Sequence, residues 1–464
     1  MNSRTYPNIT PGAAESFWKQ ANAAGFFGEG VDADHPATAD FSYSQDLKVI
    51  GHGITLHLVY DRFRETAFVT VVSHPAFVFG IVPLTDDFIL DRIAVFIEQA
   101  KKPAESRGAV CHPSLRIRPW AEDSASTKSY TPAQLRAHYG VTGTGEGQTI
   151  YIVELGGTYY EQDLKLAGIN PDQVSSTGVD GATGVPDDNA DGEVASDIQV
   201  ALAFAPKAKV VVIYAQNTEL SFYNGAAVSY KSQGGAYVPT CIATGDQGAL
   251  DGSTTDMTDF PSCSRGSIAC GGTEIVGSTE VVWNELANGN GAGGGGMSKF
   301  FPPNPWQTKL TYKLVSGKSG VVTGRPVPDC SLNADPKSGW IIYVRGEKMI
   351  IAGTSLSAPG WAGLIAAAQS QKGTRKATMS ISWGSPEDQW TEAGRDNLDS
   401  LITQNADSGN NAVTVAMYAN PHAFNDILPT AQANSNGDYS VTVGYDCATG
   451  LGVPKGSVLE PLIA

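Results

Sequence analysis

With 464 residues, 52 of them glycine and 26 proline, but only 17% charged, the chain is longer than one typical domain. It is also too rich in loop-forming residues for a helical scaffold. A formal net charge of −16 argues against nucleic acid or an anionic membrane as partner, since each needs a basic face to hold it. No apolar run reaches the ~18 residues of a membrane-spanning helix, and residues 1–20 show no apolar core of a secretory signal.

Residues 1–128 read as a small α+β region. Strands are expected at 49–60 and 65–72, where β-branched residues alternate or cluster, and an amphipathic helix at 86–101. The polar, proline-punctuated stretch 101–127 reads as a linker. His52, His57 and His74 fall in this region and are read as surface or packing residues.

From Tyr130 the texture changes. Thr131 followed by Pro132 and closed by Gly140 frames a helix with a cap, a proline start and a glycine stop. A buried strand at 148–155 ends in Glu154, a helix spans Asp191–Phe204, and further buried strands follow at 209–215 and 238–244. Strand, helix, strand with short links predicts an α/β parallel sheet flanked by helices.

Three features of this region carry chemistry. Glu193 and Asp197 lie four apart on one helix, so their carboxyls share a face one turn apart. If packed, the pair cannot both ionise easily and holds a transferable proton, and the apolar neighbours Ile198 and Val200 favour packing over a solvated face. Asp246, flanked by Gly245 at the end of a strand, stands where open sheets place ligands, or is a plain turn residue. Gly353-Thr354-Ser355, with Pro359 behind it, puts a hydroxyl at the start of a helix, where developing negative charge is favoured; an ordinary cap is the plainer reading.

A serine nucleophile usually relies on histidine, and none occurs between His138 and His422. That leaves Glu193 as general base, Asp197 orienting it and sharing its proton, and Asp246 as oxyanion donor. A carboxyl donates only when protonated, so the expected medium is acidic.

Together these residues resemble the sedolisin family of serine-carboxyl peptidases. The resemblance runs over 129–464 through Gly192-Glu193-Val194 with Asp197-Ile198, Gly245-Asp246, Asp259-Phe260-Pro261, Trp283-Asn284, and Gly294-Gly295-Gly296 on to Phe301-Pro302 and Trp306-Gln307. It continues through Val327-Pro328-Asp329, Asn333-Ala334-Asp335-Pro336 and Gly353-Thr354-Ser355. It implies a subtilisin-like fold, acid endopeptidase or tripeptidyl-peptidase activity on protein or peptide substrates, and a supporting network behind the acids made by Glu154 and Trp383. It also implies one calcium ion, held by the side chains of Asp426 and Asp446 and the carbonyls of Ile427, Thr442 and Gly444. Export is expected from the family, as is a propeptide role for residues 1–128; a monomer is expected.

One departure is the order of segments. The unit at 376–404, carrying Trp383, follows Ser355, whereas the family places it before the Gly245-Asp246 turn. It is expected to thread back into the sheet beside the strands at Val211 and Ile242, since two unpaired core strands would strand buried backbone groups at ~1–3 kcal/mol each. Should it not, a catalytically impaired scaffold is the alternative. A subtilisin-type peptidase using His52 is another.

The six cysteines, Cys111, Cys241, Cys263, Cys270, Cys330 and Cys447, contain no CxxC. Metal clusters are disfavoured, and either a Cys263–Cys270 disulfide or dispersed buried thiols remain open.

Overall fold

The computed structural model describes residues 3–6, 43–49, 54–61, 66–73, 77–78, 82–83, 111–113, 116–119 and 128–464, apart from 189, 252, 254, 374–375 and 431–433. The chain divides into two units, Met1–Arg107 and Gly108–Ala464.

The first unit holds a four-stranded antiparallel sheet of β1 (Ser3–Tyr6), β2 (Tyr43–Val49), β3 (Ile54–Asp61) and β4 (Thr66–Ser73), in the order β1-β4-β3-β2. Tyr43 to Val49 lie opposite Tyr60 to Ile54, so the expected strand at 49–60 is the second arm of a hairpin whose first arm the sequence reading missed. The expected helix at 86–101 lies outside the described residues, as do His52 and His74.

The second unit begins earlier than residue 129. β5 (His112–Pro113) and β6 (Arg116–Pro119) belong to it, although this stretch reads as linker. Their partners explain the difference: both strands are held by backbone pairing to elements far along the chain, which composition does not reveal. Lys128 and Tyr130 are also tied in, donating to the carbonyls of Lys337 and Gly339.

Next comes α1 (Pro132–His138), with a capping box between Thr131 and Gln134 and a left-handed Gly140 just beyond. The central sheet then forms from β7 (Thr149–Glu154), β8 (Val174–Gly178), β9 (Lys209–Tyr214), β10 (Thr240–Ala243), β11 (Ile268–Val276), β12 (Thr279–Val282), β13 (Cys330–Asn333) and, much later, β16 (Ala377–Ile381). Its order is β8-β9-β7-β16-β10-β11-β12, with β13 on β11. Every pair is parallel except β11 with β12.

The late segment does thread back. Ile381 sits opposite Ile242 of β10, as expected, but its other neighbour is Val153 of β7 and not the strand of Val211. The crossover through α2 (Asp191–Phe204) carries β9 to the far side of β7, leaving the slot between β7 and β10 for β16.

α3 (Glu219–Ser232) links β9 to β10; β14 (Trp340–Val344) and β15 (Glu347–Ala352) form a hairpin that leads into Gly353. α4 (Ser357–Ser370) precedes β16; β17 (Trp383–Pro386) and α5 (Glu392–Ser408) follow it. α2 and α4 pack together on one face of the sheet, buried along nearly their whole length, so neither needs an apolar stripe. Their close approach depends on Gly363, where a Cβ would come 2.7 Å from the Ala201 carbonyl oxygen.

All six cysteines are free and buried, so the dispersed-thiol alternative is the one observed. Among the described residues no helix is long and apolar enough to cross a membrane.

Candidate active site

The residues singled out from sequence converge at the C-terminal edge of the sheet. Glu154 ends β7, Asp246 lies just past β10, and Ser382 and Trp383 lie just past β16. This is the edge where open parallel sheets gather ligands. Glu193 and Asp197 come in from the first turns of α2, and Ser355 from the 3₁₀ turn Thr354–Leu356 that runs into α4. Gly353 makes that turn possible with a φ of 131°, a conformation closed to residues with a Cβ.

Ser355, Glu193, Asp197 and Glu154 are each 0% exposed. The Ser382 hydroxyl joins them: it lies 2.7 Å from Asp197 Oδ2 and 3.1 Å from the Ser355 carbonyl oxygen. In return the Ser355 hydroxyl donates weakly, at 3.4 Å, to the Ser382 carbonyl. Behind them Trp383 Nε1 donates to Glu154 Oε2 at 2.8 Å, while Glu154 Oε1 and Asp197 Oδ1 have no partner. Glu193 closes no hydrogen bond of ordinary geometry; the Asp197 charge raises its proton affinity and the Ser355 hydroxyl lowers it.

Three buried carboxyls in one cluster cannot all ionise. Burial pushes Asp197 up to about 8, against the pull of Ser382 and Glu193. Burial, and then the charge of Asp197, hold Glu193 well above the carboxylate range; Glu154 adds to this and Ser355 opposes it. Glu154 is raised by burial and Asp197, with the Trp383 indole opposing. The cluster therefore holds at least one shared proton up to near neutrality.

Asp246, 5% exposed, accepts at Oδ1 from the Thr354 backbone N–H (2.8 Å) and hydroxyl (3.0 Å). It is thereby fixed beside the turn that carries Ser355. Ser382 and Thr354 were not singled out from sequence. Each directly adjoins a residue that was, and an adjoining hydroxyl is the only signal that could have drawn attention to them.

The proposed cation ligands also come together. Gly444 N–H donates to Asp426 Oδ2 at 2.8 Å and Thr442 N–H to Asp446 Oδ2 at 3.1 Å, so one loop touches both carboxyls. Asp426 Oδ1 is buried without a partner. The other carboxyl, Asp446, is pushed up to about 7 by burial despite backbone donors from Thr449, Thr442 and Ala448. A second acidic group, Glu274, Glu285 and Asp335, already holds an ammonium, since Lys337 Nζ pairs with Glu285.

A buried serine at a helix start thus lies among buried carboxyls at the C-terminal edge of a parallel sheet. The comparisons with known proteins bear on this directly. The chain is 35% identical over 410 aligned positions to kumamolisin of Bacillus sp. (strain MN-32), covering 73% of each chain. It is 36% identical over 146 positions to sedolisin of Pseudomonas sp. (strain 101), covering 28% of this chain and 23% of that one. A solved structure of Pseudomonas sedolisin, a serine-carboxyl proteinase complexed with two molecules of pseudo-iodotyrostatin, superposes with a TM-score of 0.53 at 20% identity, covering 73% of this chain and 99% of that one. No family model matches the chain.

The chain belongs to the sedolisin family and is a serine-type peptidase with a subtilisin-like α/β fold.

Proposed function

We propose that the protein hydrolyses peptide bonds in acid through Ser355, with Glu193 as general base, Asp197 sharing its proton and Asp246 as oxyanion donor. The observation that carries this is the buried chain of contacts from Ser355 through Ser382 to Asp197, with Glu193 beside it. The Ser355 oxygen attacks the substrate carbonyl carbon while its proton passes to Glu193. The oxygen of that carbonyl becomes an alkoxide and accepts a hydrogen bond from protonated Asp246. Glu193 then returns the proton to the leaving amine, and water cleaves the acyl-serine by the same route. Trp383 holds Glu154 from behind, and the charge of Glu154 raises the proton affinity of Glu193.

The strand that leads into Ser382 and Trp383 lies in the sheet, which supports a working site over a catalytically impaired scaffold. Glu154 in place of an aspartate–histidine pair argues against a subtilisin-type mechanism; His52, its candidate histidine, lies outside the described residues.

Calcium fits the loop that joins Asp426 to Asp446. A buried carboxylate oxygen without a donor suits a hard cation, which would cross-link the C-terminal loops; Ile427, Thr442 and Gly444 would supply carbonyls. Residues 1–128 would serve as a propeptide, removed in acid, and secretion is the expected destination.

Peptide cleavage measured across pH 2 to 7 tests the reading, comparing wild type with Ser355→Ala, Glu193→Gln and His52→Ala. The first two variants are expected to lose activity and the third to keep it. Absence of Ser355-dependent cleavage at every pH, in folded protein, would sink the proposal. For the propeptide, chain mass before and after acid incubation is the readout. An unchanged mass with Ser355 intact would count against removal.

A further inference from the structure

The two short strands ahead of the sheet lie along the two walls of the site. β5 pairs antiparallel with β17, His112 opposite Gly384 and Pro113 opposite Trp383. β6 pairs antiparallel with β15, Arg116 opposite Ala352 and Pro119 opposite Met349. β17 begins directly after Ser382, which exchanges hydrogen bonds with Ser355, and β15 ends at Ala352, directly before Gly353-Thr354-Ser355. One polypeptide, running in one direction, is thus paired to both edges that flank the nucleophile.

Upstream of β5 the grip continues. The Cys111 N–H donates to Asn217 Oδ1 at 2.9 Å, and the Cys111 carbonyl accepts from Asn217 Nδ2 at 2.7 Å. A side-chain amide that meets both polar groups of one peptide residue acts as a strand partner would, and it reads backbone rather than side chain. Cys111 is 1% exposed and shares an apolar cluster with Phe222 and Trp390.

We infer that this path is the one a substrate takes: the enzyme binds an internal stretch of extended polypeptide, as an endopeptidase, and Asn217 is a positioning residue that grips the substrate backbone at the fourth residue before the cut bond. The inference rests on the peptidase reading above. The count follows from register. One step beyond the Trp383 pair, a substrate residue faces Ser382, whose carbonyl the Ser355 hydroxyl already reaches, so its own carbonyl is the one attacked. Three positions earlier is the residue that Asn217 holds. A tripeptidyl-peptidase must end the chain at the third residue, where a free amine is recognised. Here a fourth residue is bound and buried, so the cleft does not close on that side.

The test uses the full-length protein after acid incubation and two N-acetylated fluorogenic peptides with the same cut bond, one carrying three residues before it and the other five. Wild type is expected to cut the longer blocked peptide internally. Asn217→Ala is expected to raise KM for it five- to twenty-fold, with kcat within twofold and the shorter peptide unaffected. Asn217→Leu, of similar volume, should give the same length-dependent rise, separating loss of the amide from loss of volume. Release of tripeptides only, from free amino ends, would overturn the inference, as would an equal KM rise for both peptides. Loss of all Ser355-dependent cleavage in wild type would instead remove the peptidase reading on which it stands.

Discussion

Ser382 links the Ser355 backbone to Asp197, and its effect on proton affinity has a definite sign. Its hydroxyl lowers the pKa of Asp197, so Ser382→Ala should raise it further. The dyad must release one proton before Glu193 can act as base; the acid limb of kcat/KM against pH is therefore expected to move to higher pH in that variant. An unmoved limb would show that Ser382 has no part in the titration. Glu193→Gln removes the base itself, and a loss of about 10²- to 10⁴-fold in kcat is expected. Trp383→Phe keeps the ring but deprives Glu154 Oε2 of its donor, when Oε1 already lacks one. A loss of roughly 1.4 kcal/mol, about tenfold in kcat with KM little changed, is expected from steady-state kinetics.

Two packed helices set the distance between Glu193 and Ser355, the proposed base and nucleophile. Glu193 and Asp197 ride on α2, Ser355 precedes α4, and Gly363 lets the two helices meet where a Cβ would stand 2.7 Å from both the Ala201 carbonyl oxygen and Phe204 Cβ. Gly363→Ala should force them apart, lowering stability by about 1–3 kcal/mol and reducing kcat more than KM; thermal melts and kinetics check both. Such helix contacts explain why part of the molecule was legible in sequence. The spacing of Glu193 and Asp197, the turn at Ser355 and the runs that became β7, β9 and β10 are local signals, and local periodicity survives folding. Sheet order is not local. The strand at 377–381 was readable as a strand, but its place against Val153 depends on which side of β7 the α2 crossover falls. Residues 111–119 were illegible for the same reason, because a polar stretch becomes a strand only through the partners that pair with it. Ser382 and Asn217 were missed because common polar residues announce nothing until their partners are known.

For the molecule as a whole, the buried acids reverse the usual dependence of stability on pH. Asp197 titrates near 3.8 when unperturbed and at about 8 in the fold, so the native state holds a proton that the unfolded chain has released. Stability from this group is full below about 3.8 and is lost as pH rises through about 8, at no more than ~1.4 kcal/mol per pH unit. Glu193 and Glu154 act in the same direction. Melting temperature is expected to fall from pH 5 to pH 8.5, and Asp197→Asn should flatten the fall. With calcium in the proposed Asp426 loop, a chelator should lower the melting temperature of the wild type, a loss of about 2.7 kcal/mol of stability at a hundredfold excess over Kd, and should leave Asp426→Asn unaffected; an unchanged wild-type melt would count against the ion. The position of β16 also bears on how the molecule is made. β7 and β10 emerge early in synthesis of the second unit, yet the strand that joins them comes only after α4. Until it arrives the nascent chain carries two half-sheets with facing open edges, and the strand that closes the gap also delivers Ser382 and Trp383. Closure of the sheet and arrival of Ser382 and Trp383 beside Ser355 are therefore a single event in the making of the molecule.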